Sequence, residues 1–217
     1  MHGQSGMERL LKKFKQPKFF WDWDRPAAYD MWRPVMATIL KKEEIEKLEH
    51  LTRMNPCGLM IKLIVRMGLR HGEALELRVD DIDANGHRLM VRGTNPRFVA
   101  VPEETRLPIM RAIHGRDSDA FVISNSPDGM RPLGARTFQA FLGRTARMMN
   151  LCDLNAKNLR STYIVRRLEA GIDPRLIQAE LGIRSLKSVT KYRDLARDPF
   201  TLAHAAEFIN EGLHATG

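Results

Sequence analysis

The segment 156–195, AKNLRSTYIVRRLEAGIDPRLIQAELGIRSLKSVTKYRDL, contains three helical patterns in succession, so this part of the chain is predicted to be helical. Arg160 falls in the first turn of the first pattern, and Tyr192 follows thirty-two residues later on a basic stretch. Taken alone, Arg160 suits a solvated basic face that also includes Arg166 and Arg167. Tyr192 alone suits the edge of a helical core. The remaining sequence is needed to choose between these simple roles and a chemical one.

Two further helices are predicted ahead of this segment. In KKEEIEKLEHLTR, which begins at Lys41, apolar residues recur at helical spacing and acidic residues occupy the first turn. In PCGLMIKLIVRMG a proline precedes and Gly68 follows a strongly apolar run, and these are the expected start and stop signals of a helix. Helical patterns return from Glu103 towards the C-terminus.

Between the second helix and Glu103 the pattern changes from helical to alternating. The stretch LRVDDIDANGHRLMVRGTNPRFVAVP, residues 77–102, contains Asn85-Gly86 between two strand-like runs and a second turn at residues 93–96. Asn-Gly is a strong signal for a two-residue hairpin, so the stretch is predicted to form three strands. The predicted fold class is α+β, mainly helical, with one small three-stranded antiparallel sheet.

Composition limits the partner and the compartment. The 217 residues include 35 Lys and Arg against 26 Asp and Glu, a formal net charge of +9, and suit one well-cored domain with a short extension. Since Lys and Arg neutralise phosphates, this balance favours a polyanionic partner, although a basic protein without nucleic acid remains an alternative. Cys57 and Cys152 are isolated, which predicts a reduced protein without structural zinc. Because no apolar run approaches the roughly 20 residues of a membrane span, a soluble, cytoplasmic protein is expected.

Three regions are predicted along the chain. Residues 1–38 hold all three tryptophans and lack a sustained period, so they are expected to form an aromatic and basic arm. Residues 39–198 form the main domain. The final region, 199–217, contains FTLAHAAEFINEGL, whose apolar residues lie on one face of a helix. This helix is expected to dock on a neighbouring subunit, with packing on its own domain as the alternative.

Two sets of residues and their spacing resemble those of the tyrosine recombinases, also called the phage integrase family. The stretch MGLRHGEALELRVDDID, residues 67–83, is similar to the family's Gly-Leu-Arg turn followed by an acid three residues on, here Arg70 and Glu73. The second set is Lys157-Asn-Leu-Arg160, Leu181-Gly182-Ile183 and Tyr192, which matches the family's usual spacing without a gap. The resemblance covers about residues 37–197 and implies the family's catalytic domain. The family's separate N-terminal DNA-binding domain is expected to be absent, with residues 1–38 in its place.

The resemblance implies chemistry at a phosphodiester. Tyr192 would be the nucleophile, and Arg70 and Arg160 would bind the two non-bridging oxygens of the phosphate. Guanidinium groups stay charged at any working pH, so no metal ion and no other cofactor is expected.

Three positions differ from the family's usual residues. Arg92 stands where the family has a lysine on the hairpin, and it is a poor acid, so it is expected either to take part in catalysis or to contact the DNA backbone. Lys157 stands in place of a histidine and would donate a proton, support the phenolate or contact phosphate. Ile183 replaces a donor to the phosphate, and the adjacent Arg184 is expected to reach DNA instead. Arg97 is likewise assigned to DNA binding.

The leading prediction is a site-specific DNA recombinase of a mobile element, an integrase-type strand transferase. It would act on double-stranded DNA through a 3′-phosphotyrosine intermediate, as a homo-oligomer assembled through the C-terminal helix. Arg92 and Ile183 favour an alternative, a catalytically lapsed relative that binds DNA as an accessory, regulatory or replication protein. The joint presence of Arg70, Arg160 and Tyr192 favours the enzyme. A topoisomerase that uses the same chemistry without site specificity is a third possibility.

Overall fold

The structure, a computed structural model, describes residues 39–151 and 153–196. Within these ranges the chain is mainly helical, and none of its helices is long and apolar enough to cross a membrane. The predicted arm and the predicted C-terminal helix lie outside the described residues. In chain order the elements are α1 (Lys42–Thr52), α2 (Pro56–Met67), α3 (His71–Glu76), a 3-10 turn (Val79–Asp81), β1 (Arg88–Val91), β2 (Arg97–Ala100), α4 (Glu103–Ile113), α5 (Ala135–Met149), α6 (Ala156–Glu169), α7 (Pro174–Glu180), α8 (Lys187–Thr190) and α9 (Arg193–Ala196).

Helices α1 and α2 lie where the sequence predicts them. The Asn55 side chain caps the start of α2, and Gly68 ends the helix in the left-handed conformation with φ +66°. A Cβ at Gly68 would lie 2.3 Å from the Leu181 side chain and 2.6 Å from the Tyr163 ring. The backbone conformation and the close packing therefore both require glycine, and the end of α2 is held against the chain that follows α7.

Two apolar clusters hold the helices together. The larger one is centred on α2, which packs against α1, α3, α4 and α6. Within α2, Met60, Ile61, Leu63 and Ile64 are completely buried, and burial of each such side chain stabilises the fold by roughly 1.5–3 kcal/mol. The second cluster joins α6, α7, α8 and α9, and its buried members are Ile164, Val165, Ile177, Leu181, Val189, Tyr192 and Ala196.

The sheet has two strands in the described chain, so the prediction of three strands is wrong. Strands β1 and β2 pair antiparallel, and the predicted turn at residues 93–96 joins them. The segment before β1 contributes a single bridge, Ile82 opposite Leu89. It forms the 3-10 turn instead, because the Asp81 carboxylate accepts a hydrogen bond from the Arg78 backbone N–H at 2.9 Å and closes that turn.

The last of the three helical patterns is divided into the short helices α8 and α9, with Tyr192 between them. The Tyr192 N–H donates to the Val189 carbonyl at 3.1 Å, three residues back, as in a 3-10 turn. The Tyr192 carbonyl then accepts from the Ala196 N–H at 3.1 Å. This junction directs the Tyr192 side chain into the second cluster.

Candidate active site

The first motif forms the beginning of α3. Arg70 is the residue before the helix, and its backbone N–H donates to Glu73 Oε2 at 2.8 Å. The Arg70 guanidinium donates to the other carboxylate oxygen of Glu73, also at 2.8 Å. The Arg70 side chain is nevertheless 45% exposed, so part of its guanidinium faces solvent.

Glu73 also contacts two arginines from distant parts of the chain. The Arg97 guanidinium donates to both carboxylate oxygens at 3.0 Å, and Arg160 NH1 lies 3.7 Å from Glu73 Oε2. Burial raises the pKa of Glu73, but hydrogen bonds from Arg97 and from the Arg70 backbone lower it further, so the pKa lies below its ordinary value. Arg70, Arg97 and Arg160, here called the arginine cluster, thus meet at one ionised carboxylate.

The arginine cluster is also supported by three successive main-chain carbonyls at residues 180–182, here called the carbonyl run. Arg97 Nε donates to the first carbonyl at 2.8 Å, Arg160 NH2 to the second at 3.1 Å and Arg70 NH2 to the third at 3.5 Å. The Asn95 side chain also donates to the third carbonyl, at 2.7 Å. The run follows directly from the C-terminus of α7, where carbonyls lack partners within the helix and carry a partial negative charge, so it attracts cations.

Arg160 is the more deeply placed of the two motif arginines. Its side chain, on α6, is 13% exposed, and its NH1 also donates to the Gly68 carbonyl. Burial, and then repulsion by Arg70, lower the pKa of Arg160 to about 10, although Glu73 opposes the shift. Three guanidinium groups share one carboxylate, so this small volume attracts an anion such as phosphate.

Tyr192 is buried, with 9% of its surface exposed, and its hydroxyl is hydrogen-bonded to the Ser161 hydroxyl at 2.9 Å. Ser161 follows Arg160 on α6, so the predicted nucleophile is anchored beside the helix that carries Arg160. The Lys191 ammonium lies 5.0 Å from the centre of the Tyr192 ring. In this state the phenol is held by Ser161, and the nucleophilic role of Tyr192 stays a prediction.

Arg92, predicted as a catalytic residue, lies at the end of β1 and is paired elsewhere. Its guanidinium is 2.9 Å from the Asp80 carboxylate and hydrogen-bonded to the buried Asp81 carboxylate. These two hydrogen bonds, that of Asp81 first, raise the pKa of Arg92. The acidic pair thus holds Arg92 by contacts that are separate from those of the arginine cluster, and its catalytic role remains a prediction.

The other predicted residues differ in their exposure. Lys157 is exposed in the first turn of α6, one turn before Arg160, and Arg184 is exposed after α7. Ile183 is partly buried against the second apolar cluster. It also lines an open groove of about 350 Å³ that borders Arg97, so solvent reaches the edge of the cluster.

The acidic, histidine and cysteine side chains of the described residues are dispersed. In the ranges 39–151 and 153–196, no three His, Cys, Asp or Glu side chains come together in a way that could hold a metal ion. The arrangement at Glu73 is instead suited to bind an anion, through the guanidinium groups of the arginine cluster.

The domain is mainly helical and brings Arg70 and Arg160 of the two motifs to one site, as the resemblance to the tyrosine recombinases implies. Residues 38–198 match the phage integrase family. The chain therefore belongs to this family of tyrosine recombinases.

Two curated relatives support the family. The tyrosine recombinase XerA of Saccharolobus solfataricus is 27% identical over 176 residues, covering 76% of this chain and 57% of the relative. A XerD-like tyrosine recombinase of Streptococcus sanguinis is 29% identical over 136 residues, covering 62% of this chain and 53% of the relative. The chain thus spans a little over half the length of these relatives.

Solved structures agree on the fold. A crystal structure of a XerA recombinase has a TM-score of 0.67 at 20% identity and covers 85% of this chain and 66% of its own. A lambda integrase dimer bound to a core site has a TM-score of 0.57 at 20% identity and covers 75% and 60%. These likenesses confirm the predicted fold class.

Two pairings and one further residue of the site were not predicted from the sequence. The pairing of Arg97 with Glu73 spans 24 positions and that of Ser161 with Tyr192 spans 31, so neither follows from helical or strand spacing. Asn95 was also missed, although its place in the hairpin turn beside Arg97 is a usable signal. The acid of the first motif, Glu73, contacts all three arginines of the cluster and is therefore placed to orient them.

Proposed function

We propose that this chain is a site-specific DNA recombinase that cuts and rejoins double-stranded DNA through a 3′-phosphotyrosine intermediate. The observation that carries the proposal is the arginine cluster, in which three guanidinium groups share the single carboxylate of Glu73. The Tyr192 hydroxyl is bonded to Ser161, the residue after Arg160, which supports the same proposal. The net charge of +9 suits DNA as the partner.

In the proposed reaction, Arg70 and Arg160 bind the non-bridging oxygens of the scissile phosphate and offset the charge that develops on them. The Tyr192 oxygen leaves Ser161, loses its proton to a base and attacks phosphorus. A tyrosine–phosphate bond forms as the bond to the 5′ oxygen breaks, and that oxygen takes a proton. Rejoining is the reverse step, in which a 5′-hydroxyl attacks phosphorus and releases Tyr192.

Lys157 is proposed as the proton donor or as electrostatic support for the phenolate, because it is exposed one turn before Arg160. Arg92 is proposed to contact the DNA backbone, since a guanidinium is a poor acid. Arg184 is proposed as a further DNA contact, and residues 199–217 as the segment that docks on a second copy of the chain. The lambda integrase structure, which is similar in fold, is a dimer bound to a core site.

The experiment that tests this function traps the covalent intermediate. The protein is incubated with a library of duplexes that have a randomised centre and random nicks, so that a short 5′-hydroxyl fragment can diffuse away after cleavage. DNA that stays attached in denaturant is then sequenced, and the attachment is mapped by mass spectrometry. We expect the adduct on Tyr192, and Tyr192→Phe should bind DNA without forming it. An adduct on Tyr29 or Tyr163 would reject Tyr192 as the nucleophile, and no adduct at all would reject the recombinase.

A second candidate function is a DNA-binding relative without cleavage activity. Two observations favour it: the acidic pair engages Arg92, and Ile183 has no polar group to offer a phosphate. Retained DNA binding with no covalent adduct in the same experiment would identify this alternative.

A further inference from the structure

The contacts of Arg97 differ from those expected of a side chain that is free to contact DNA. It begins β2 beside Phe98, which is 68% exposed, yet the Arg97 side chain is only 10% exposed. Its Nε donates to the Glu180 carbonyl at 2.8 Å, and its two terminal nitrogens donate to Glu73 at 3.0 Å. Each of its three nitrogens thus already has a partner inside the protein.

The energy of such a pair does not explain its presence. Moving two charges out of water costs several kcal/mol, and apolar side chains of similar volume often give equal or greater stability. A bidentate arginine–carboxylate pair does, however, fix both planes relative to each other. The pair between Arg97 and Glu73 is therefore better suited to setting geometry than to adding stability.

Arg97 contacts both structures that hold the other two arginines. On one side it holds Glu73, which binds Arg70 through two hydrogen bonds and lies 3.7 Å from Arg160. On the other side it holds the first carbonyl of the run 180–182, whose next two carbonyls accept from Arg160 and Arg70. The close approach continues at Gly182, where a Cβ would lie 3.1 Å from Arg97 NH1.

We propose that Arg97 is a positioning residue, which holds Glu73 and the carbonyl run in the places from which they orient Arg70 and Arg160. Its role is then to prepare the phosphate site, in place of the direct DNA contact expected from the sequence. The consequence for cleavage rests on the proposed function, but the orientation of the two arginines does not require DNA and is measurable without it.

The first test labels arginines with phenylglyoxal in the absence of DNA and measures the rate at each residue by mass spectrometry. In Arg97→Gln the labelling of Arg70 and Arg160 should rise by roughly threefold or more, because their supports open more often. The matched control, Arg88→Gln, removes the same charge from a side chain that is 71% exposed on the same hairpin. Unchanged labelling of Arg70 and Arg160 would overturn the proposal.

Labelling of Arg116 shows whether the variant is folded, since its guanidinium is hydrogen-bonded to the Phe121 and Val122 carbonyls and does not belong to the arginine cluster. If Arg116 labelling also rises, Arg97→Gln has unfolded, and Arg97→Lys decides. Lysine keeps the charge, but its single nitrogen cannot reproduce the contacts that three arginine nitrogens make with Glu73 and the carbonyl run, so labelling of Arg70 and Arg160 should still rise while that of Arg116 stays constant.

The second test separates binding from cleavage on a duplex recovered by covalent trapping. For Arg97→Lys we expect affinity within about twofold of the unaltered protein and single-turnover cleavage slower by roughly 10- to 100-fold. If Arg97 only contacted phosphate through its charge, Arg97→Lys would keep that charge and cleave DNA as fast as the unaltered protein. The combined loss in the double variant Arg97→Gln/Glu73→Gln should be smaller than the sum of the two single losses, because the two side chains share one bidentate contact.

The failures of the two proposals are distinguishable. If the unaltered protein forms no covalent complex, the recombinase is rejected, while the labelling rates still decide whether Arg97 positions the cluster. If cleavage occurs and additive losses are found in the double variant, the positioning role is rejected and the recombinase stands.

Discussion

At the scale of single residues, the carboxylate of Glu73 offsets the positive charge of the arginine cluster. It is 12% exposed and ionised, and it contacts all three arginines of the cluster. Without Glu73, the three guanidinium groups of the cluster would lie close together in a half-buried volume. Only main-chain carbonyls, which carry no full negative charge, would then offset their repulsion. Its charge is therefore expected to influence stability as well as phosphate binding.

The pH dependence of stability should report this carboxylate. Because the pKa of Glu73 is lower in the folded than in the unfolded chain, its contribution is fully present above the ordinary value of 4.5 and is lost as the pH falls through the folded value. The free energy of unfolding of Glu73→Gln should thus decline less steeply between about pH 5 and pH 3 than that of the unaltered protein. Urea titrations across this pH range measure the free energy of unfolding of both proteins.

Glu76→Gln is the matched control, since Glu76 is exposed on the same helix, α3. It should follow the pH profile of the unaltered protein. Identical slopes for Glu73→Gln and Glu76→Gln would contradict the role assigned to Glu73.

The hydrogen bond between Ser161 and Tyr192 is also open to a direct test. Ser161→Ala leaves a buried phenol without this partner, which should lower the free energy of unfolding by about 1–3 kcal/mol. Removing both hydroxyls in Ser161→Ala/Tyr192→Phe should cost less than the single change, because no unpaired polar group remains. Urea denaturation of the three proteins decides, and a double variant that is less stable than Ser161→Ala would show that the bond is not the cause.

At the scale of elements, Gly68 and Gly171 allow the cost of backbone strain at a left-handed glycine to be separated from the cost of close packing. Gly171 has a similar φ of +73°, but nothing lies within 4 Å of the place that a Cβ would occupy there. Gly171→Ala should therefore cost only the backbone strain of about 1–2 kcal/mol. Gly68→Ala should cost a further 1–3 kcal/mol or so, because Leu181 and Tyr163 must move. Equal losses of the free energy of unfolding for the two variants, in thermal or urea unfolding, would mean that Leu181 and Tyr163 move aside at little cost.

The elements also show what could be predicted from the sequence. The bounds of α2 follow from a proline at its start and a closing glycine, which act within a few residues. The third strand was predicted from alternation, but Asp81 binds the Arg78 backbone and a tight turn forms instead. The contact of Arg97 with Glu73 could not be predicted, because it depends on how the hairpin packs against α3 and α7. The resemblance to the family's two motifs did imply that Arg70 and Arg160 lie at one site, and both contact Glu73.

At the scale of the whole molecule, charge should govern association with DNA. A net charge of +9 implies that several phosphates are neutralised on binding and that bound counterions are released. Affinity for a duplex of random sequence should fall by roughly tenfold or more between low and physiological salt. A mobility-shift titration measures this slope, and affinity independent of salt would exclude a phosphate-dominated interface.

The carbonyl run has a consequence for how the site can be found and altered. Its acceptors belong to the peptide backbone, so replacing the side chains of Glu180 or Leu181 by alanine leaves every one of those oxygens in place. An alanine scan would thus record packing losses there and miss the support given to the guanidinium groups. Chemical synthesis that replaces the peptide bond after Leu181 by an ester would weaken that oxygen as an acceptor without changing any side chain.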